Sequence, residues 1–157
     1  MLHSFAACST STANPAIVPD LVNSGKLVPD GYNPLGSLLY TGGWLYEMTR
    51  NGGVNDGGVI FRMSPDAACA GQLSSDYYGI LASFDTRKNT LTSKGDCHCT
   101  ATDTPPGSCN PTGSAPIDNL IVGTDGNSLF GMTQTGGAND MCNANGYGTV
   151  FHIPATP

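Results

Sequence analysis

The segment LYEMTRNGGVND (45–56) returns as LFGMTQTGGAND (129–140) at a constant offset of 84 residues. GGVIFRM (57–63) returns as YGTVFHI (147–153), with Phe61 matching Phe151 at an offset of 90. LHSF (2–5) is echoed by LASF (81–84), and NPLGSLL, more loosely, by APIDNLIV. Self-similarity at such a period means that one supersecondary unit is used twice, each copy too small to bury its apolar face alone. The six extra residues of the second copy fall between Asp140 and Tyr147 and include Cys142, as expected of an insertion in a loop with preserved flanks.

Each copy reads as strands. GVIFRM places Val59, Phe61 and Met63 on one side and Ile60 and Arg62 on the other; TVFHI places Thr149, Phe151 and Ile153 against Val150 and His152. Gly42-Gly43, Asn51-Gly52-Gly53, Asp56-Gly57-Gly58, Asp125-Gly126-Asn127 and Gly136-Gly137 supply the positive φ that tight turns need. Strands are expected at 35–41, 44–50, 58–64 and 77–85, and again at 117–123, 128–134 and 148–154. No segment shows helical periodicity. The fold class is therefore all-β: two tandem antiparallel β-sheet repeats, propeller-blade-like, with long Cys-bearing loops. A single domain over 1–157 is expected, with repeat one at about 33–85 and repeat two at about 115–154. The spare strand 2–5 should complete the second sheet. Leu45, Met48, Phe61, Leu129, Met132 and Phe151 are expected to be buried at matching positions. Residues 6–33 and 85–115, rich in Ser, Thr, Pro and Asn, read as inserts.

Six cysteines, Cys8, Cys69, Cys97, Cys99, Cys109 and Cys142, stand in a chain with few lysines. That pattern points to disulfides and to an extracellular, periplasmic or cell-surface location. Spacing does not choose among the pairings. The run DCHCT sets its cysteines too close for a tetrahedral zinc site. A net charge of −6 argues against nucleic acid as a partner. No apolar run of transmembrane length occurs. The first residues lack the basic and apolar regions of a signal peptide, so a processed chain or a segment of a longer one is expected.

The strings SLFGMTQTGGAND, YGTVFHIP, GVIFRMSP and LHSF resemble the Gloeobacter/Verrucomicrobium (GloVer) repeat, whose pattern runs NP-x-x-x-L, LYGTT-x-x-GG, GTVFKL-x-P, LHSF. The resemblance implies a bacterial, exported, repeat-built protein of the choice-of-anchor type. It brings no catalytic residues. The chain departs from the family in having two copies rather than many.

Chemistry is thinly marked. His3, His98 and His152 are the only histidines, and no G-x-S-x-G nucleophile motif occurs. No catalytic, cofactor-binding or metal-ligating residue is assigned, and the chain is expected not to be an enzyme. GTDGN (123–127) and GGAND (136–140) offer oxygen ligands for calcium, but Asp and Asn cap such turns in any case. Trp44, Tyr40 and Tyr32 are candidate rings for stacking on a sugar. The leading expectation is an extracytoplasmic structural or interaction subunit, a homo-oligomer or part of a larger assembly; the alternative is a carbohydrate-binding propeller lectin. The location has a direct check. In native material most of the six cysteines should resist alkylation until reduced, and six free thiols by mass spectrometry would overturn the extracytoplasmic expectation.

Overall fold

Glycine-rich turns cut the chain into short strands. The computed structural model describes residues 17–22, 26–66, 76–85, 113–136 and 147–155. The expected strand 2–5 and all six cysteines lie outside these residues. The described residues form ten strands and no helix: β1 (Ile17–Asp20), β2 (Lys26–Pro29), β3 (Gly31–Pro34), β4 (Leu39–Thr41), β5 (Trp44–Gly52), β6 (Asp56–Met63), β7 (Tyr78–Asp85), β8 (Ser114–Val122), β9 (Ser128–Thr135) and β10 (Val150–Pro154). They make two sheets. The first runs β2-β1-β7-β6-β5-β3, with β4 also on β5; the second runs β10-β9-β8.

The repeat is structural down to the register. In the first sheet Leu45 pairs with Met63, Tyr46 with Arg62, Glu47 with Phe61 and Met48 with Ile60. In the second, Leu129 pairs with Ile153, Phe130 with His152, Gly131 with Phe151 and Met132 with Val150. Every pair maps onto its counterpart at the sequence offsets. The third strand obeys the same rule. Pro34 pairs with Thr49 and Leu39 with Tyr46, while Pro116 pairs with Thr133 and Ile121 with Phe130. Thus β3 and β4 together correspond to β8.

Two side-chain devices hold this register. Thr49 Oγ1 donates to the Asn51 carbonyl (2.8 Å) and accepts from the Val59 amide (3.3 Å). Thr133 Oγ1 donates to the Thr135 carbonyl (3.0 Å) and accepts from the Thr149 amide (2.9 Å). Beside each threonine stands a glycine in left-handed backbone, Gly58 (φ 97°) and Gly148 (φ 91°), where a Cβ would collide with the Thr49 or Thr133 carbonyl oxygen.

Each sheet has two faces, and alternation assigns them. The front face of the first sheet carries Tyr46, Met48 and Ile60, and it packs on the back face of the second, which carries Leu129, Phe151 and Ile153, joined by Leu120 and Ala155. Tyr46 Oη donates to the Ala155 carbonyl across this contact (3.1 Å), and Arg50 Nη2 donates to Gln134 Oε1 (2.8 Å). The back face of the first sheet, Val59, Phe61 and Met63, is closed over by Val18, Val28, Tyr78 and Ile80, because the sheet curls. Here the structure corrects the sequence reading. Residues 6–33 were expected to be an insert without strands, yet β1, β2 and most of β3 lie in it, and the first sheet has seven strands rather than four. Val18 and Val28 carry the reason, since each β-branched side chain is buried.

The curl is pinned by one buried polar contact. Tyr78 Oη donates to Asp30 Oδ1 (2.6 Å), and the Gly31 amide donates to the same oxygen (2.8 Å). Burial, then the charge and hydrogen bond of Asp30, push the Tyr78 pKa far above its ordinary 10.0. Burial also raises that of Tyr46, against the pull of Arg62. The unfolded chain therefore releases these protons near pH 10 while the folded chain keeps them. Stability is full below that pH and falls as pH rises above it. Tyr78→Phe should shrink this alkaline loss and lower neutral-pH stability by about 1–3 kcal/mol, since the buried Asp30 carboxylate loses one of its donors. Urea melts across pH 7–11 check both; an alkaline slope equal to wild type would refute the assignment.

Candidate functional site

Repeat-equivalent positions should share an environment if each sheet were covered alike. They do not. Met48 is 3% exposed and Ile60 0%, whereas their counterparts Met132 and Val150 are 45% and 77% exposed. Tyr46 is buried, but Phe130 is only partly covered; Leu39 packs into the core, but its counterpart Ile121 is 63% exposed. The front face of the second sheet is therefore a strip of Ile121, Phe130, Met132, Val150 and His152 open to solvent among the described residues. It is the counterpart of the surface that the first sheet buries.

Strand geometry builds this strip. Ile121 sits across from Phe130, His152 across from Phe130 on the other side, and Val150 across from Met132, so the residues line one face of three adjacent strands. Phe130 and His152 stack, ring centroids 5.4 Å apart. On the opposite face Phe151 lies over Gly131, which takes the place of Glu47, and its ring meets Phe84 of the first sheet at 5.1 Å. Apolar area is gathered here on one exposed face, a feature typical of surfaces that meet a partner.

The turn at one end of the strip is self-contained. Asp125 Oδ1 accepts from the Asn127 and Ser128 amides (3.0 and 2.9 Å), and Oδ2 from Ser128 Oγ (2.6 Å). The Ser128 hydroxyl first, then the two amides, lower its pKa. This carboxylate, singled out with GTDGN as a calcium ligand, spends its oxygens on the turn. Among the described residues no group of three or more His, Cys, Asp or Glu side chains is placed to hold a metal.

The three candidate stacking rings are not brought together. Trp44 lies on the front face of the first sheet with the Arg62 guanidinium over its ring at 4.3 Å. Tyr40 pairs with Leu45, one residue out of phase with Trp44, and projects from the other face, 64% exposed. Tyr32 pairs with Asn51, toward the far end of β5, and donates to Asp56 Oδ1 (2.9 Å). The strip itself was missed by sequence reasoning, which expected Met132 to be buried like Met48. The signal was present in the alignment of the repeats; what was missing was which face has a neighbour.

No protein-family model, curated protein or solved structure matches the chain. No helix among the described residues is long and apolar enough to cross a membrane.

The exposure difference predicts chemistry at sulfur. Mild peroxide should oxidise Met132 well before Met48 and Met63 in the isolated chain, read by peptide mass spectrometry. Equal rates for the three would mean that the front face of the second sheet is covered in solution.

Proposed function

We propose that this chain is an extracytoplasmic structural or interaction subunit, built from GloVer-like β repeats, that joins an assembly through the front face of its second sheet. One observation carries the reading: among the described residues Ile121, Met132 and Val150 are open and Phe130 half-open where Leu39, Tyr46, Met48 and Ile60 are packed against a neighbouring sheet. At about 25 cal/mol per Å² of apolar surface, covering such a strip is favourable. The six cysteines and the scarcity of charged residues support a location outside the cytoplasm. The reading assigns no catalytic step. The carbohydrate-binding alternative has no comparable support, since Trp44, Tyr40 and Tyr32 do not share a face.

The test is made in the cells that produce the protein. A tagged Met132→Asp/Val150→Asp chain should stay folded, because both side chains are exposed, with stability lowered only by about 1 kcal/mol from the two facing carboxylates, yet run on native gels as a free chain while wild type runs in a larger species. Co-migration of the variant with the wild-type assembly, or a wild type that itself runs as a free chain, would defeat the reading.

A further inference from the structure

The two sheets are stacked in one sense. The front of the first meets the back of the second, so the pair is related by an operation that can be applied again. Polar contacts across the interface show the same sense. Arg50 bonds to Gln134, the residue at its own place in the next repeat. Tyr46 reaches the Ala155 carbonyl just beyond β10. Gln134 accepts through Oε1 and carries two amide N–H donors that a residue at the same place in a third sheet could use.

The stack has unlike ends. At one end the back face of the first sheet is closed by Val18, Val28 and Tyr78, as a terminal cap closes a repeat array. At the other, the front face of the second sheet repeats, position by position, the face on which the second sheet itself sits. Methionine recurs at 48 and 132, a β-branched residue at 60 and 150, an aromatic at 46 and 130. A surface of this make fits what already covers its twin: a back face with leucine at the 129 place, phenylalanine over a small residue at the 151 and 131 places, and isoleucine at the 153 place.

We propose that the front face of the second sheet receives the back face of a third sheet of this same repeat, stacked in the same sense and supplied by a partner chain whose back face is uncapped. The proposal rests on the assembly reading above and names its partner. A second copy of this chain does not qualify as folded: one of its back faces is capped by its own curl and the other is packed on its own first sheet. Tyr46 and Arg62 are replaced by Phe130 and His152 in the acceptor strip. The partner therefore needs no carbonyl where Ala155 stands, and the contact is more apolar than the one within the chain.

The probe is the full chain extended at its C-terminus by a copy of its own residues 113–155, with the copy's Cys142→Ser, through a Gly/Ser linker as long as segment 86–112. The expected result is that Met132 of the parent portion becomes protected from peroxide by about tenfold or more, as in a closed sheet contact. The appended sheet should also resist protease. Val150→Asp in the parent portion should abolish both effects in the extended chain while leaving the unextended chain folded, since Val150 is exposed there. An appended sheet that is digested, or a Met132 as reactive as in the unextended chain, overturns the proposal. So does a concentration-dependent dimer of the unextended chain, seen by sedimentation, that protects Met132, because the face would then pair with itself. If the extension fails while Met132→Asp/Val150→Asp still frees the chain from its native assembly, the assembly reading stands and its partner is of another kind.

Discussion

The contact between the front of the first sheet and the back of the second is the interaction on which the rest of the structure depends. A pair of strands is marginal at best, and a small sheet depends on the apolar face that it can bury. Tyr46, Met48 and Ile60 become core only because Leu129, Leu120, Phe151 and Ile153 lie against them. The side chains at the joint follow from this. Gly131 opens the space that the Phe151 ring fills, and the ring then reaches Phe84. Tyr46 keeps its hydroxyl satisfied at the Ala155 carbonyl, so its burial leaves no orphan donor.

The first sheet meets the same difficulty on its other side and solves it differently. Its back face has no second repeat to cover it, so the sheet curls and brings Val18 and Val28 over Val59 and Phe61. Holding that curl requires a polar anchor in an apolar setting, the Tyr78–Asp30 bond with the Gly31 amide. A buried carboxylate is costly unless fully bonded, which is why the anchor lies where a backbone amide also points at it.

Much of this was legible in the residues, and the limits have physical causes. The alternation of Val59, Phe61 and Met63 with Ile60 and Arg62 assigned faces correctly, and the offsets of 84 and 90 that align the two copies recur in the pairing of β5 with β6 and of β9 with β10. Period two says which residues share a face. It does not say whether anything covers that face, so Met132 read like Met48. The short strands β1 and β2 carry too few residues for alternation to stand out, and their Val-Pro pairs look like loop. Tyr32, Tyr40 and Trp44 are near in sequence, but a one-residue register offset across the hairpin and the five residues of strand between Leu45 and Asn51 send them to different places.

The threonine bracket bears on how such a protein can be traced through evolution. A hydroxyl that both donates to one carbonyl and accepts from one amide, next to a glycine held at positive φ, is a constraint written in the backbone rather than in the core. Valine has threonine's shape but cannot serve at 49 or 133, and no residue with a Cβ fits at 58 or 148. Face residues, by contrast, differ between the copies: Glu47 stands where the second repeat has Gly131, Arg62 where it has His152 and Ile60 where it has Val150. Ancestry in this architecture is thus recorded by the intervals between a few hydroxyls and glycines. Two chains descended from one duplicated unit could keep those intervals long after their overall residue identity had faded.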